Sequence, residues 1–146
     1  MTKLIIAVAI CVVLAVCVFM WFRVRSASRR KAIERYAQEH NFSFLGSSLP
    51  ATLKLEISSF RHAKAISTAF AGTGREKEFV FFDCVMPGDR TSYVQSVLAI
   101  RHLGGKYPAA QFDRQLQEER RGDWTLIYHP KRTWGLSEID AHVSSL

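Results

Sequence analysis

The chain has 146 residues, 48% of them hydrophobic, with 20 Lys and Arg against 13 Asp and Glu for a net charge of +7. That length leaves room for one core of ordinary domain size. The basic excess is confined to one place: residues 23–35 hold six Lys or Arg against a single Glu, whereas residues 36–146 hold 13 against 12, too even a balance for the basic face of a nucleic-acid-binding domain.

Residues 4–22 are nineteen positions without a charge, Gly or Pro. As a helix rising ~1.5 Å per residue they span roughly the 30 Å hydrocarbon core of a bilayer. Trp21 and Phe22 fall where such a helix meets the headgroups, and Arg23, Arg25, Arg29, Arg30 and Lys31 follow at once, so these seven residues are the expected membrane interface. A cleaved signal peptide fits less well, because its apolar region is shorter and ends in small residues rather than in Trp-Phe-Arg. Val16 before Cys17 likewise argues against a lipoprotein site. Lys3 and the terminal amine on one side face five Lys or Arg on the other, which places the N-terminus outside and the remainder of the chain in the cytoplasm of a single-pass protein. The same cations suit anionic lipid headgroups, so the bilayer is the first expected partner.

Residues 1–28 therefore read as anchor and basic juxtamembrane segment, and 29–146 as a soluble α+β domain. Residues 29–41 have a helical face of Ala32, Ile33, Tyr36, Ala37 and His40, with Ser28 as N-cap and Asn41 at the end. A short strand at 42–45 and a helix opening at Pro50 and running to Phe60 come next. Three strands are then expected at 65–71, 78–86 and 91–102. In the first, Ile66, Thr68 and Phe70 share a side; the second is apolar on both faces apart from Asp83, as in a central strand. The links at 72–77 and 87–90 are rich in turn residues and too short for crossover helices, so consecutive antiparallel pairing follows. Residues 112–120 suit either a helix or a strand, and the turn signal Arg121-Gly122-Asp123 before a strand at 124–129 favours a hairpin across that turn. Leu136, Ile139, Val143 and Leu146, with Ser137 three residues before Asp140, predict a capped amphipathic helix on one face of the sheet.

The helix Arg30-Lys31-Ala32-Ile33-Glu34-Arg35-Tyr36-Ala37, the run Glu78-Phe79-Val80-Phe81-Phe82-Asp83 and the closing Arg121-Gly122-Asp123-Trp124-Thr125-Leu126-Ile127-Tyr128 carry a resemblance. With the anchor, they resemble a loose group of uncharacterised bacterial membrane-anchored proteins with a small cytoplasmic α+β domain. This chain is shorter than that pattern between His102 and Phe112, and the resemblance implies fold and location only.

Candidate chemistry is sparse. Cys84, between Phe82 and Met86, is expected to face the core, and Asp83 to face the other way, satisfied by Arg101, Tyr93 or a sheet end. His40, His62, His102, His129 and His142 have no metal-ligand spacing, so no metal is expected. Gly72-Thr73-Gly74 lacks the third glycine and the helix of a dinucleotide fingerprint and reads as a hairpin turn, so no cofactor is expected. The functional expectation is a non-enzymatic interaction module, with Trp124, Tyr128 and Trp134 as the exposed surface for a protein partner. The alternatives are an enzyme using Asp83, His102 or His129, and a sensor of anionic lipid through residues 23–31.

Overall fold

A computed structural model describes residues 2–53, 60–74, 77–102 and 115–146. The chain divides into two units, Met1–Ile33 and Glu34–Leu146.

The first unit is helical, the N-terminal part of a helix α1 that runs unbroken over Thr2–Glu39. The expected N-cap at Ser28 is absent, because nothing there stops a helix: between Arg23 and Glu39 there is no Gly or Pro, and Ala, Arg, Lys, Glu and Gln dominate. The large apolar side chains from Ile6 to Trp21 are 53–60% exposed, all round the helix.

In the second unit, Asn41 ends α1 as its sequence suggests. It takes the left-handed conformation at φ 57°. Phe42 N donates to the Ala37 carbonyl at 2.8 Å and Asn41 N to the Gln38 carbonyl at 3.2 Å, the paired bonds of a Schellman end. Strands β1 (Ser43–Gly46), β2 (Ala65–Thr73), β3 (Lys77–Met86), β4 (Tyr93–His102), β5 (Gln117–Arg121) and β6 (Trp124–Tyr128) follow, then helix α2 (Leu136–Ser144). The six strands form one sheet in the order β1-β2-β3-β4-β6-β5, every neighbouring pair antiparallel, so the architecture is α+β.

The turns explain the pairing. Gly88 lies where a Cβ would stand 2.2 Å from the Thr91 carbonyl oxygen, so only glycine admits the tight β3–β4 link. Gly122, at φ 56°, opens the two-residue turn between β5 and β6. Of the helix expected between Pro50 and Phe60, residues 54–59 lie outside the described residues; its described start is a turn, with Leu53 N donating to the Pro50 carbonyl at 2.9 Å.

The sheet is packed on both faces. One face gathers Val80, Phe82, Cys84, Met86, Val97, Ala99, Leu126 and Tyr128, covered by Leu53 and Phe60 from the β1–β2 connection. The other carries Phe70 in ring contact with Phe79 and Phe81, and these three meet the rings of Tyr36, Phe42 and Trp134. Here α2 docks through Ile139 and Val143, with Tyr36 Oη donating to Asp140 Oδ1 at 3.1 Å. The cap of α2 lies two residues before Ser137, because the Glu138 carboxylate reaches back to the Gly135 N–H at 2.8 Å. A bulge in β2 between Ile66 and Thr68 corrects the expected alternation: the slipped register puts Ile66 opposite Cys84 and Thr68 opposite Asp83, so the two share no face.

Candidate functional site

The helical unit supplies the first candidate site. α1 is long and apolar enough to cross a membrane, and none of its most apolar window is buried within the chain. Trp21, Arg23, Arg25, Arg30 and Lys31 are exposed and Arg29 is half-buried. The side chain of Phe22 lies outside the described residues. Helical side chains lean toward the N-terminus, and accordingly the Arg23 guanidinium lies 5.2 Å from the centre of the Phe19 ring and that of Arg25 5.2 Å from the Trp21 ring.

Asp83 sits in the middle of β3 at 0% exposure. Its partner is neither Arg101 nor Tyr93. Ser96, directly opposite on β4, donates from Oγ to Asp83 Oδ1 at 2.6 Å and accepts the backbone N–H of Trp134 at 2.9 Å. The same loop is tied down twice more: Ser96 N donates to the Arg132 carbonyl at 3.1 Å, and Lys131 N to Gln95 Oε1 at 2.9 Å. Asp83 thus anchors the segment that carries Trp134 and α2, which is architectural work for a buried carboxylate with no opening to a substrate. Arg101 instead reaches Glu78 at 3.2 Å and Asp123 at 3.7 Å near the opposite end of β4.

Cys84 faces the core, as its neighbours imply, and its Sγ donates to the Gln95 carbonyl at 3.6 Å. Burial, with the adjacent Asp83 charge adding to it, pushes the thiol from 9.0 up to about 12. A thiol held neutral in this way is not a nucleophile.

The three aromatic residues expected to face a partner are instead core. Trp124 is 8% exposed, Tyr128 6% and Trp134 1%. Trp124 and Tyr128 alternate onto the face covered by the β1–β2 connection, where Trp124 Nε1 donates to the Thr52 carbonyl at 3.1 Å and Tyr128 meets the Phe60 ring edge-on at 5.0 Å. Trp134 fills the opposite face against Phe81 and His142. Interface-type residues and core-type residues are chemically the same, and only pairing tells them apart.

Of the residues considered for catalysis, His129 is half-buried after β6, and the side chain of His102 lies outside the described residues. Among the described residues no three His, Cys, Asp or Glu side chains gather as a metal-binding group. A cluster that sequence reading missed joins α1 to α2: Asp140 Oδ1 accepts from Tyr36 Oη and lies 3.6 Å from His40 Nε2. Burial, then the hydrogen bond and charge of Asp140, raise the Tyr36 phenol well above its ordinary range. The residues are 104 positions apart along the chain, so no local spacing signals them. A groove of about 230 Å³ opens between Pro50, Thr52, Gly72, Glu78 and Trp124, with its one carboxylate, Glu78, already paired to Arg101.

Comparison with known proteins finds no matching family model, no matching curated protein and no matching solved structure.

Proposed function

We propose that this chain is a single-pass protein of the cytoplasmic membrane, with residues 1–28 as anchor and basic juxtamembrane segment and residues 29–146 as a cytoplasmic domain that works as a non-enzymatic interaction module. The observation that carries the location is the charge asymmetry across a membrane-length apolar helix, five Lys or Arg within residues 23–31 against Lys3. What supports the module reading is the domain's own chemistry: Asp83 is consumed in fastening a loop and Cys84 is a neutral core thiol. The near-neutral charge of residues 36–146 points to a protein partner rather than nucleic acid. Trp124, Tyr128 and Trp134 take no part in that surface, because they are buried.

Reporter fusions after Leu146 test the location. A reporter active only in the cytoplasm is expected to give signal and one active only outside to stay silent; the reverse pattern overturns the topology. Chemical cross-linking of the full chain in intact cells, followed by purification, is expected to recover a stoichiometric protein partner. Recovery of the chain alone counts against the module.

A further inference from the structure

We infer that residues 23–31 bind anionic phospholipid headgroups as a ring around the helix, an inference that rests on the membrane reading above and names the partner at that membrane surface. Three observations meet here. The first is placement. From Arg23 to Lys31 the helix rises ~12 Å, enough to run through the roughly 5–8 Å polar zone on one side of the hydrocarbon core, and the apolar run ends immediately before it.

The second is direction. At about 100° per residue, Arg23, Arg25, Arg29, Arg30 and Lys31 point around the whole circumference and leave no open sector wider than about 120°. A protein partner engages one face of a helix. Lipids surround all of it, and the apolar side chains just N-terminal, equally exposed on every side, have the same all-round character.

The third is unmet charge at a defined depth. Arg23, Arg25 and Lys31 make no ion pair with an acidic side chain among the described residues. Arg23 and Arg25 fold back over the rings of Phe19 and Trp21, which carries their guanidinium groups one turn toward the apolar segment. A guanidinium held there still has a fork of N–H donors to satisfy, and a phosphate oxygen pair matches that fork in geometry and charge. Four of the five cations are arginine, the side chain suited to this bidentate contact. An added negative headgroup charge strengthens the attraction by an amount that corresponds to about fivefold enrichment per favoured lipid contact.

Trp21 lies at the apolar edge of the ring, beside the Arg25 guanidinium, and reports on the lipids there. The full chain is placed in bilayer nanodiscs of phosphatidylcholine containing a low, equal mole fraction of either brominated phosphatidylglycerol or brominated phosphatidylcholine, and Trp21 emission is isolated by subtracting the W21F variant. The anionic quencher is expected to show about fivefold enrichment at Trp21 over the zwitterionic one. The combined variant R23Q/R25Q/R29Q/R30Q/K31Q, still inserted, is expected to bring the two to parity. Equal quenching in the unaltered chain overturns the lipid inference while leaving the membrane anchor standing, and is the outcome expected if an acidic protein is the partner instead. Persistence of the preference in the variant with all five neutralised overturns its assignment to these side chains. Absence of quenching by either lipid overturns the membrane reading itself.

Discussion

Residues 6–21 and residues 79–86 are both apolar runs, the second interrupted only by Asp83, yet the structure treats them oppositely. In the first, the large apolar side chains stay more than half exposed; in the second, Phe79, Val80, Phe81, Phe82, Cys84 and Met86 are 6% exposed or less. The difference lies in where each backbone finds its hydrogen bonds. A helix satisfies its own N–H and C=O groups, so its side chains remain free to meet a solvent, and an all-round apolar surface of this length suits lipid. A strand must borrow partners from its neighbours. β3 takes β2 on one side and β4 on the other, and those strands bring the segments that cover both faces.

That contrast can be broken most directly with single truncations. Phe81→Ala or Phe82→Ala is expected to cost about 3 to 5 kcal/mol of domain stability, whereas Leu14→Ala in the helix is expected to leave domain unfolding unchanged. Denaturant unfolding of the full chain in detergent, followed by the fluorescence of Trp124 and Trp134, measures both. Comparable losses at the two sites would show that the regions share a core.

A second test probes the only charge buried in β3. Ser96→Ala removes the donor to Asp83 and the acceptor of the Trp134 N–H together, and is expected to cost about 1 to 3 kcal/mol or more in the same unfolding experiment. Amide exchange at Trp134 should quicken beyond what the global loss explains. An unchanged Trp134 amide would mean that the loop is held by its other bonds alone.

Alkaline pH sharpens the comparison further, because only the packed unit holds Cys84. Below about pH 9 the thiol is protonated in both folded and unfolded chains, and its stabilising effect is fully present. Above that value the unfolded chain loses the proton first, so stability falls as pH rises, until the folded thiol itself ionises near 12. The limiting slope is about 1.4 kcal/mol per pH unit for one thiol. Cys84→Ala is expected to unfold with a shallower dependence between pH 9 and 12, with the raised Tyr36 phenol contributing a remaining slope of the same sign. Identical slopes for the two proteins would place the titrating group elsewhere.

The smallest expected effect lies where the long helix ends. Asn41→Ala forces a Cβ-bearing residue without a local hydrogen-bonding side chain to hold φ 57°, at a cost of about 1 kcal/mol, whereas Asn41→Gly is expected to be nearly neutral. Equal losses from both substitutions would point to the Asn41 side chain rather than to its backbone.

Much of this was legible in the sequence. A membrane-length run without charge, the abrupt basic segment, the helix end at Asn41, the strands around Phe81 and Leu98 and the turn at Gly122 are properties of neighbouring residues, set by hydrophobic period, backbone freedom and charge, and the α+β class follows from their order. Ser28 misled because a good capping residue caps only where helical residues do not continue on both sides, and here they do.

What tertiary structure alone decided is which residues meet across the sheet. The bulge after Ile66 reverses the face of every following residue in β2, and a one-residue slip leaves no local mark in a strand of mostly small residues. Ser96 as the partner of Asp83, Asp140 as the partner of Tyr36, and the burial of Trp124, Tyr128 and Trp134 all depend on register and on what packs over each face. Local sequence sets a side chain's chemistry and the period of its segment; whether an aromatic ring is surface or core is set by residues tens of positions away, through contacts that exist only once the sheet has formed.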